Sequence, residues 1–370
     1  MSEYYKAGTK GDDVLSSSAE EQMLMGMGGN DVLTASSFSA DTMAAMFGGS
    51  GNDTYVLNMT KGMAIVADYG GGNDTLVLPF TTTQIKNYVS WGESGHGVVD
   101  NKHYMIVFND DFSLAIWDYK SGGRIEQIQF SDGQTGNLDT LVNLLGRGNL
   151  RYVSSSELDI DLSMVETGVG ILAKAEAANA NVEVPAWFDR DTYIERHYAK
   201  FGGSQELDDH EGAFLESGFV GAEGEFRHFQ QYGQWEGASP MALFDADYYF
   251  RSKAADYNNI SVSRVSDAQA LEMKTAISDA GMSAWSHYQL YGSREGIDAS
   301  AQFDTSAYME AKLQQMRHDN SGYTMEQLQN AFAEAGLSAA AHYQAYGKAE
   351  GLTAVGVPTS MMADVLDAGA

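Results

Sequence analysis

Four aspartates, Asp13, Asp31, Asp53 and Asp74, recur in one glycine-rich frame: GTKGDDVL (Gly8 to Leu15), GMGGNDVL (Gly26 to Leu33), GGSGNDTYV (Gly48 to Val56) and GGGNDTLVL (Gly70 to Leu78). Each copy offers a carboxylate at a fixed place. Each surrounds it with residues small enough for backbone carbonyls to turn toward an ion. A hard cation that takes roughly six to eight oxygens, Ca²⁺, suits that supply. The candidate ligand set is Asp13, Asp31, Asp53 and Asp74, the turn glycines Gly11, Gly29, Gly49, Gly51, Gly70 and Gly72, the amides Asn30, Asn52 and Asn73, and the neighbouring acids Asp12, Asp41 and Asp68.

Such a set needs short strands joined by tight turns. Gly48 to Val56 satisfies the nonapeptide pattern G-G-x-G-x-D-x-U-x, with U a large apolar residue, at every defined position. The other copies lack one or two glycines. Leu15, Leu24 and Leu33 keep the same spacing through a degenerate copy carrying Gln22, and a further weak copy ends at Asp41-Thr42-Met43. Part of each repeat makes a turn and the remainder a short strand whose apolar residue points inward. Stacked turns then place ion sites between neighbours, and glycine permits positive φ and close backbone approach. The alternative is a set of metal-free Gly-Asn-Asp hairpin turns.

Residues 1–80 resemble the RTX (repeats-in-toxin) family of secreted bacterial proteins. The resemblance implies a parallel β-roll, calcium held by the aspartates and loop carbonyls, and type I export directed by an uncleaved C-terminal signal. It also implies a chain that folds only where calcium is plentiful. Binding energy becomes folding energy when the site exists only in the folded state.

Composition agrees with that class. The chain has 370 residues, 44% hydrophobic content and a net charge of −29. The charge argues against nucleic acid or an anionic membrane as partner, and implies self-repulsion that cations would relieve. Cysteine is absent, so no disulfide or thiolate site is available. The start MSEYYKAGTK lacks the basic and apolar regions of a cleaved signal peptide, and no apolar run is long enough to span a membrane.

Residues 81–148 read as β structure closing the roll. Tyr104–Phe108 and Phe112–Trp117 are expected strands around a turn at Asn109-Asp110-Asp111, followed by Arg124–Phe130 and a helix from Leu138 to Leu145 ended by Gly146. The run RIEQIQFSDG looks like the domain that follows the repeats in many RTX proteins, where it caps the roll. An unrelated antiparallel sheet is the alternative. Residues 149–185 read as a linker.

A second repeat occupies 186–354, in units 186–240, 241–300 and 301–354. The units open with Phe188-Asp189, Phe244-Asp245 and Phe303-Asp304, continue through Tyr193, Tyr249 and Tyr308, and close with HFQQYGQWEG, HYQLYGSREG and HYQAYGKAEG. Thr324 and Gln327 form an expected capping box, and Gly281 and Gly336 expected helix ends. The motif looks like the FD-x-x-Y…HY-x-x-YG-x-x-EG repeat of secreted and surface-associated bacterial proteins. It implies a small helical unit and no activity. The His–Glu pairs read either as one ligand site per unit or, favoured, as corner residues that hold the fold. Residues 355–370 are an expected part of the secretion signal.

No catalytic motif stands out. His210-Glu211 lacks the second histidine of a zinc site, and Gly92 to His96 lacks the last glycine of a nucleophile elbow. The repeats start at residue 8, so an effector is expected only within 150–370, and repeat arrays present surfaces. The expectation is a multidomain, non-enzymatic protein: an N-terminal parallel β-roll with a β cap, and a C-terminal all-α repeat domain. It would be extracellular and cell-surface associated, binding calcium and forming a homo-oligomer or larger assembly (surface layer, matrix or filament). The methionines Met23, Met25, Met27, Met43 and Met46 offer adaptable apolar contacts or core packing. The rival readings are an adhesin for a cell-surface glycan and a hydrolase with a carboxylate site in the C-terminal half.

Overall fold

The computed structural model describes residues 5–18, 21–36, 39–84, 87–95, 98–108, 110–117, 125–137, 150–154, 163–201, 213–215, 217–319 and 321–354. They fall into two compact units, one of residues 1–183 with 205–225, the other of 184–204 with 226–370.

The first unit is built on a parallel β-solenoid of about three turns. Its strands are β1 (Tyr5–Ala7), β2 (Val14–Ser16), β3 (Glu21–Gly28), β4 (Val32–Ser36), β5 (Met43–Ser50), β6 (Thr54–Asn58), β7 (Gly62–Val66) and β8 (Thr75–Val77). Odd strands stack in parallel in one sheet and even strands in the other. The expected apolar positions come into register: Leu15 beside Leu33, Leu33 beside Tyr55, Tyr55 beside Leu76. With Leu24, Ala44, Met46, Ala64 and Val66 they fill the space between the sheets.

The odd sheet is buried on both faces, which is why β3 and β5 read as near-continuous apolar runs. Alternate residues Met23, Met25, Met27, Ala45, Phe47 and Ile65 face away from the solenoid interior into a second core. The residues that cover them come from α1 (Ser163–Asn179), through Ile171, Leu172 and Ala175, and from Leu215 and Val220. The methionines are thus core residues: Met23, Met25 and Met46 are fully buried. Burying each such side chain contributes about 1.5–3 kcal/mol.

This packing corrects the linker expected at 149–185. That stretch carries β14 (Leu150–Ser154) and the 17-residue helix α1. It folds because the odd sheet would otherwise leave a methionine-rich face in water. The same need draws Leu215 and Val220, read from sequence as part of the first helical repeat, into the β unit.

Beyond the solenoid, β9 (Asn87–Gly95), β10 (Val98–Val107) and β11 (Phe112–Ile116) extend the odd sheet: β11 lies parallel to β7 and antiparallel to β10, β10 antiparallel to β9, and β14 parallel to β9. The result is a mixed sheet, with β10 antiparallel to both β9 and β11 and parallel pairs at either side. Phe80 stacks on Phe108 and Phe112 with centroids 4.4 and 5.0 Å apart, and Phe108 lies tilted to Phe112 at 5.8 Å. Strand β12 (Gln127–Gln129) extends the even sheet beside β8, followed by β13 (Thr135–Gly136). Asn109, Arg124, the helix expected at 138–145 and Gly146 lie outside the described residues.

The second unit is helical. It contains α2 (Arg190–Phe201), the last residues of α3 (Gly221–His228), α4 (Ala246–Asn258), α5 (Asp267–Asp279), α6 (Ala284–His287), α7 (Thr305–Asp319), α8 (Met325–Glu334) and α9 (Ala339–His342). The recurring motif residues carry recurring contacts. Asp189, Asp245 and Asp304 accept the N–H three residues on at 3.1, 2.9 and 2.8 Å, starting a helix each time. Phe188, Phe244 and Phe303 are buried, as are Tyr193, Tyr249 and Tyr308. Each closing motif makes a π-helical turn, Phe229–Gly233, Tyr288–Gly292 and Tyr343–Gly347. The capping box of Thr324 and Gln327 is present.

Candidate metal centre

The solenoid places Asp13, Asp31, Asp53 and Asp74 in one file along its edge, each in the turn just before an even strand. The Oδ1 of each later residue accepts the backbone N–H of the earlier one. Asp31 receives Asp13, Asp53 receives Asp31 and Asp74 receives Asp53, each at 2.8 Å. The file ends on Glu126, whose Oε2 accepts the Asp74 N–H at 2.9 Å. A second file runs beside it in the opposite sense. Asn30 donates its N–H to Asp12 Oδ1 at 2.7 Å, Asn52 to Asn30 Oδ1 at 2.9 Å, and Asn73 to Asn52 Oδ1 at 2.8 Å. One carboxylate oxygen each of Asp31, Asp53 and Asp74 is therefore used to hold the stack together.

The other oxygen is used differently from turn to turn. In the first turn Asp13 Oδ2 accepts from Thr9 N–H at 2.6 Å and from the Thr9 hydroxyl at 2.9 Å. The Oδ2 atoms of Asp31, Asp53, Asp68 and Asp74 are buried without a hydrogen-bond partner among the described residues. Asp53, Asp68 and Asp74 bring one oxygen each to within 4.8 Å of one another, and all three are buried. Asp68 lies outside the nonapeptide and is aimed by Tyr55. The Tyr55 hydroxyl accepts the Gly48 N–H at 2.9 Å and donates to Asp68 Oδ1 at 2.8 Å.

Glycine keeps the turns close. Gly49 has φ of 93° and Gly51 139°. A Cβ on Gly51 would stand 1.7 Å from the Gly29 carbonyl oxygen, and one on Gly49 2.0 Å from that of Met27. A side chain at either place would push adjacent turns apart. Gly70 and Gly72 repeat this against Gly49 and Gly51 one turn later. At Gly11 there is room for a side chain, and Asp41 lies exposed in the turn before β5, outside the three-aspartate cluster.

Burial and mutual repulsion raise these carboxyls above the ordinary aspartate value. Burial, with Asp53, Asp13 and Asp12 nearby, pushes Asp31 up to about 7. Burial and the Asp74 and Glu176 charges push Asp53 up to about 6. Burial, then Asp74 and Asp53, push Asp68 up to about 8. Asp74 is raised by burial and by Glu126. Carboxylates in such a cluster must hold protons or share a cation. The donors are all oxygen, which selects hard cations over thiophilic ones.

Tyr55 and Glu126 were not among the residues chosen from sequence. Glu126 carried a signal, since it stands two residues before the inward Ile128 as Asp74 does before Leu76. In the helical unit the histidine and glutamate of each motif take different hydrogen-bond partners. The Nδ1 atoms of His228, His287 and His342 bond the hydroxyls of Tyr193, Tyr249 and Tyr308 at 2.6, 2.6 and 2.7 Å. Glu236, Glu295 and Glu350 pair instead with His197, Lys253 and Lys312 at 3.1, 3.0 and 2.8 Å. His210, Glu211 and His96 lie outside the described residues. Among the described residues no helix is long and apolar enough to cross a membrane. Searches against known proteins found no matching family model and no matching curated sequence.

Proposed function

We propose that the chain is a secreted, calcium-dependent structural protein of RTX type, whose solenoid folds and becomes rigid when calcium binds. The observation that carries the reading is the group of buried Oδ2 atoms on Asp31, Asp53, Asp68 and Asp74 without a partner among the described residues. Asp53, Asp68 and Asp74 would hold the ion, with Asp31 one level away. A bound divalent cation supplies positive charge to carboxylates that otherwise take up protons. The chain's own part is positional: the two side-chain files fix turn spacing, Tyr55 orients Asp68, and the glycines let the turns approach. Residues 81–148 would cap the roll, and 186–354 would form an all-α repeat array presenting surfaces for self-assembly. The role is one of binding and assembly, without catalysis, at the cell surface or in the extracellular matrix.

The test is purification in chelator followed by millimolar calcium, read by circular dichroism and electron microscopy. Folding with ordered sheets or filaments supports the whole reading. Folding to dispersed monomers removes self-assembly. No change on adding calcium removes the reading altogether.

A second reading, adhesion to a cell-surface glycan, has its own support. Tyr232, Tyr291 and Tyr346 occupy the same motif position and are each 50% exposed. Half-exposed aromatic faces suit the apolar faces of sugar rings. A glycan-array signal lost on changing all three tyrosines to alanine would favour it over assembly.

A further inference from the structure

Helix α1 covers the odd sheet closely. Its buried residues Gly168, Ile171, Leu172, Ala175 and Asn179 recur at three- and four-residue steps and so share one face. That face packs on the methionine-rich side of β3 and β5. Gly168 makes the approach possible, since a Cβ there would stand 2.5 Å from the Phe47 ring. At the C-terminal end of the helix, Asn179 Nδ2 donates to the Val220 carbonyl at 3.3 Å and joins α1 to the second piece of the cover.

The third residue of each glycine turn shows how this cover is attached. Lys10, Gly28 and Ser50 hold that place in successive turns. The Gly28 N–H donates to the Thr9 carbonyl of the neighbouring turn at 3.2 Å. The other two N–H groups go to glutamates of the cover. Glu223 Oε1 accepts from Lys10 at 3.3 Å, and Glu176 Oε1 accepts from Ser50 at 3.3 Å. The two contacts are not equivalent. Glu223 reaches the turn of Asp13, whose Oδ2 is already held by Thr9. Glu176 reaches the turn of Asp53, one of the three clustered aspartates. Its carboxylate stands over Gly49, where a Cβ would come 2.9 Å from Oε1, and its charge is among those that raise Asp53.

We infer that Glu176 is a positioning residue for the solenoid ion and that α1 is a strap locked by calcium; the inference rests on the calcium reading of Asp53, Asp68 and Asp74. The Ser50 N–H lies three residues before Asp53. Holding it fixes the turn from which Asp53 presents its Oδ2, and the docked helix supplies the fixed point. Outer partners of this kind tune a metal site without touching the ion. The coupling is reciprocal. The docked helix slows opening of the buried ion site, and the bound ion keeps the turn in the shape that Glu176 grips. Calcium thereby helps to keep the methionine face covered.

The experiment loads the full chain with calcium and times its release into excess fluorescent chelator by stopped flow. Glu176→Ala removes the acceptor and is expected to release calcium about tenfold faster than the unaltered chain. Glu176→Gln keeps the acceptor and should stay close to the unaltered rate. Glu223→Ala loosens the cover at the turn of Asp13 and should leave the rate unchanged. Calcium that binds, yet leaves Glu176→Ala no faster than the unaltered chain, overturns the inference and leaves the solenoid reading standing. Equal acceleration in Glu176→Ala and Glu176→Gln assigns the effect to charge, and equal acceleration in Glu176→Ala and Glu223→Ala assigns it to general loss of stability. Either result overturns the inference as well. A chain that takes up no calcium removes the solenoid reading itself, and this one with it. Should Glu176→Ala not fold, hydrogen exchange on the unaltered chain decides. The amides of Leu172 and Ala175 should gain protection at the calcium concentration that protects Tyr55 and Val56 in β6. Protection of α1 that is complete in chelator, or that needs more calcium than β6, rejects the strap.

Discussion

Glu126 Oε2 accepts the backbone N–H of Asp74 at 2.9 Å and so occupies the next level of the aspartate file, 52 residues further along the chain. The even sheet explains the substitution, because β12 pairs with β8 in the register that β8 keeps with β6. Glu126 has the same task as Asp53 or Asp74, and its charge helps to raise Asp74. Replacing Glu126 by alanine leaves the Asp74 N–H without its acceptor and should cost about 1–2 kcal/mol of stability in urea titrations with calcium present. Glutamine preserves the acceptor and should recover most of that loss. Equal loss in both variants would show that the charge, and not the hydrogen bond, matters.

The aspartates should not be equivalent toward calcium. Asp13 Oδ2 is taken by Thr9, whereas Asp53 Oδ2 is buried without a partner among the described residues. Asp53→Asn is expected to weaken calcium binding by at least about tenfold. Asp13→Asn should lower stability modestly and leave the ion count unchanged. Metal analysis at saturation separates the two, and loss of an ion from Asp13→Asn would count against the assignment.

Tyr55 should behave as a positioning residue. Its hydroxyl links Gly48 N–H to Asp68 Oδ1 inside a fully buried site. Tyr55→Phe leaves a donor and an acceptor unsatisfied and should cost about 2–3 kcal/mol. It should also weaken calcium binding about tenfold through the freed Asp68. A change in stability with unaltered calcium affinity would limit Tyr55 to packing.

Without calcium, the β unit should lose stability as pH rises. Burial pushes Asp31, Asp53 and Asp68 up to about 7, 6 and 8 in the folded chain, from an ordinary value of 3.8. Between those values the folded chain holds protons that the unfolded chain has released. Stability is therefore full below about pH 4 and falls as pH climbs through roughly 6 to 8. Calcium displaces those protons, so its stabilising effect should grow over the same window, with proton release visible by calorimetry in buffers of different ionisation enthalpy. Hydrogen exchange at β4 and β6 in chelator reports this unit, and increasing protection toward pH 8 would refute the scheme.

The stacked solenoid was legible because one nonapeptide specifies a turn, a strand and an inward residue together. The three-aspartate cluster was legible only in part. Asp53 and Asp74 stand inside the motif, but Asp68 joins them through the Tyr55 hydroxyl, and the apolar position of the repeat encodes bulk rather than a polar tip. Glu126 follows a long insertion that hides its register. Helix α1 was missed because Ile171, Leu172 and Ala175 make a narrow apolar stripe among small residues, and its need arises from the methionines of β3, far away in sequence. In the helical unit the motif histidines bond the motif tyrosines, as residues that hold a corner would. The pairing of the motif glutamates was not legible, since Glu236, Glu295 and Glu350 reach across to α2, α4 and α7 instead of to the nearby histidines.

The helical unit should respond to acid in the opposite sense. Burial lowers His197, His287 and His342 below the ordinary histidine value of 6.5. The folded unit then holds fewer protons than the unfolded one, so stability is present above pH 6.5 and declines as pH falls through the folded values. For His287 the acceptor at stake is Nδ1, which meets the Tyr249 hydroxyl at 2.6 Å. That hydroxyl also sits where a Cβ on Gly292 would be, at 2.2 Å. Tyr249→Phe should cost about 1–2 kcal/mol and shrink the acid response, with calcium stoichiometry unchanged. Gly292→Ala should cost more, and part of that cost should disappear in the Tyr249→Phe background, because the clashing oxygen is gone. Strict additivity of the two changes in a denaturation cycle would mean that glycine is needed there for the π-helical turn and not for the tyrosine.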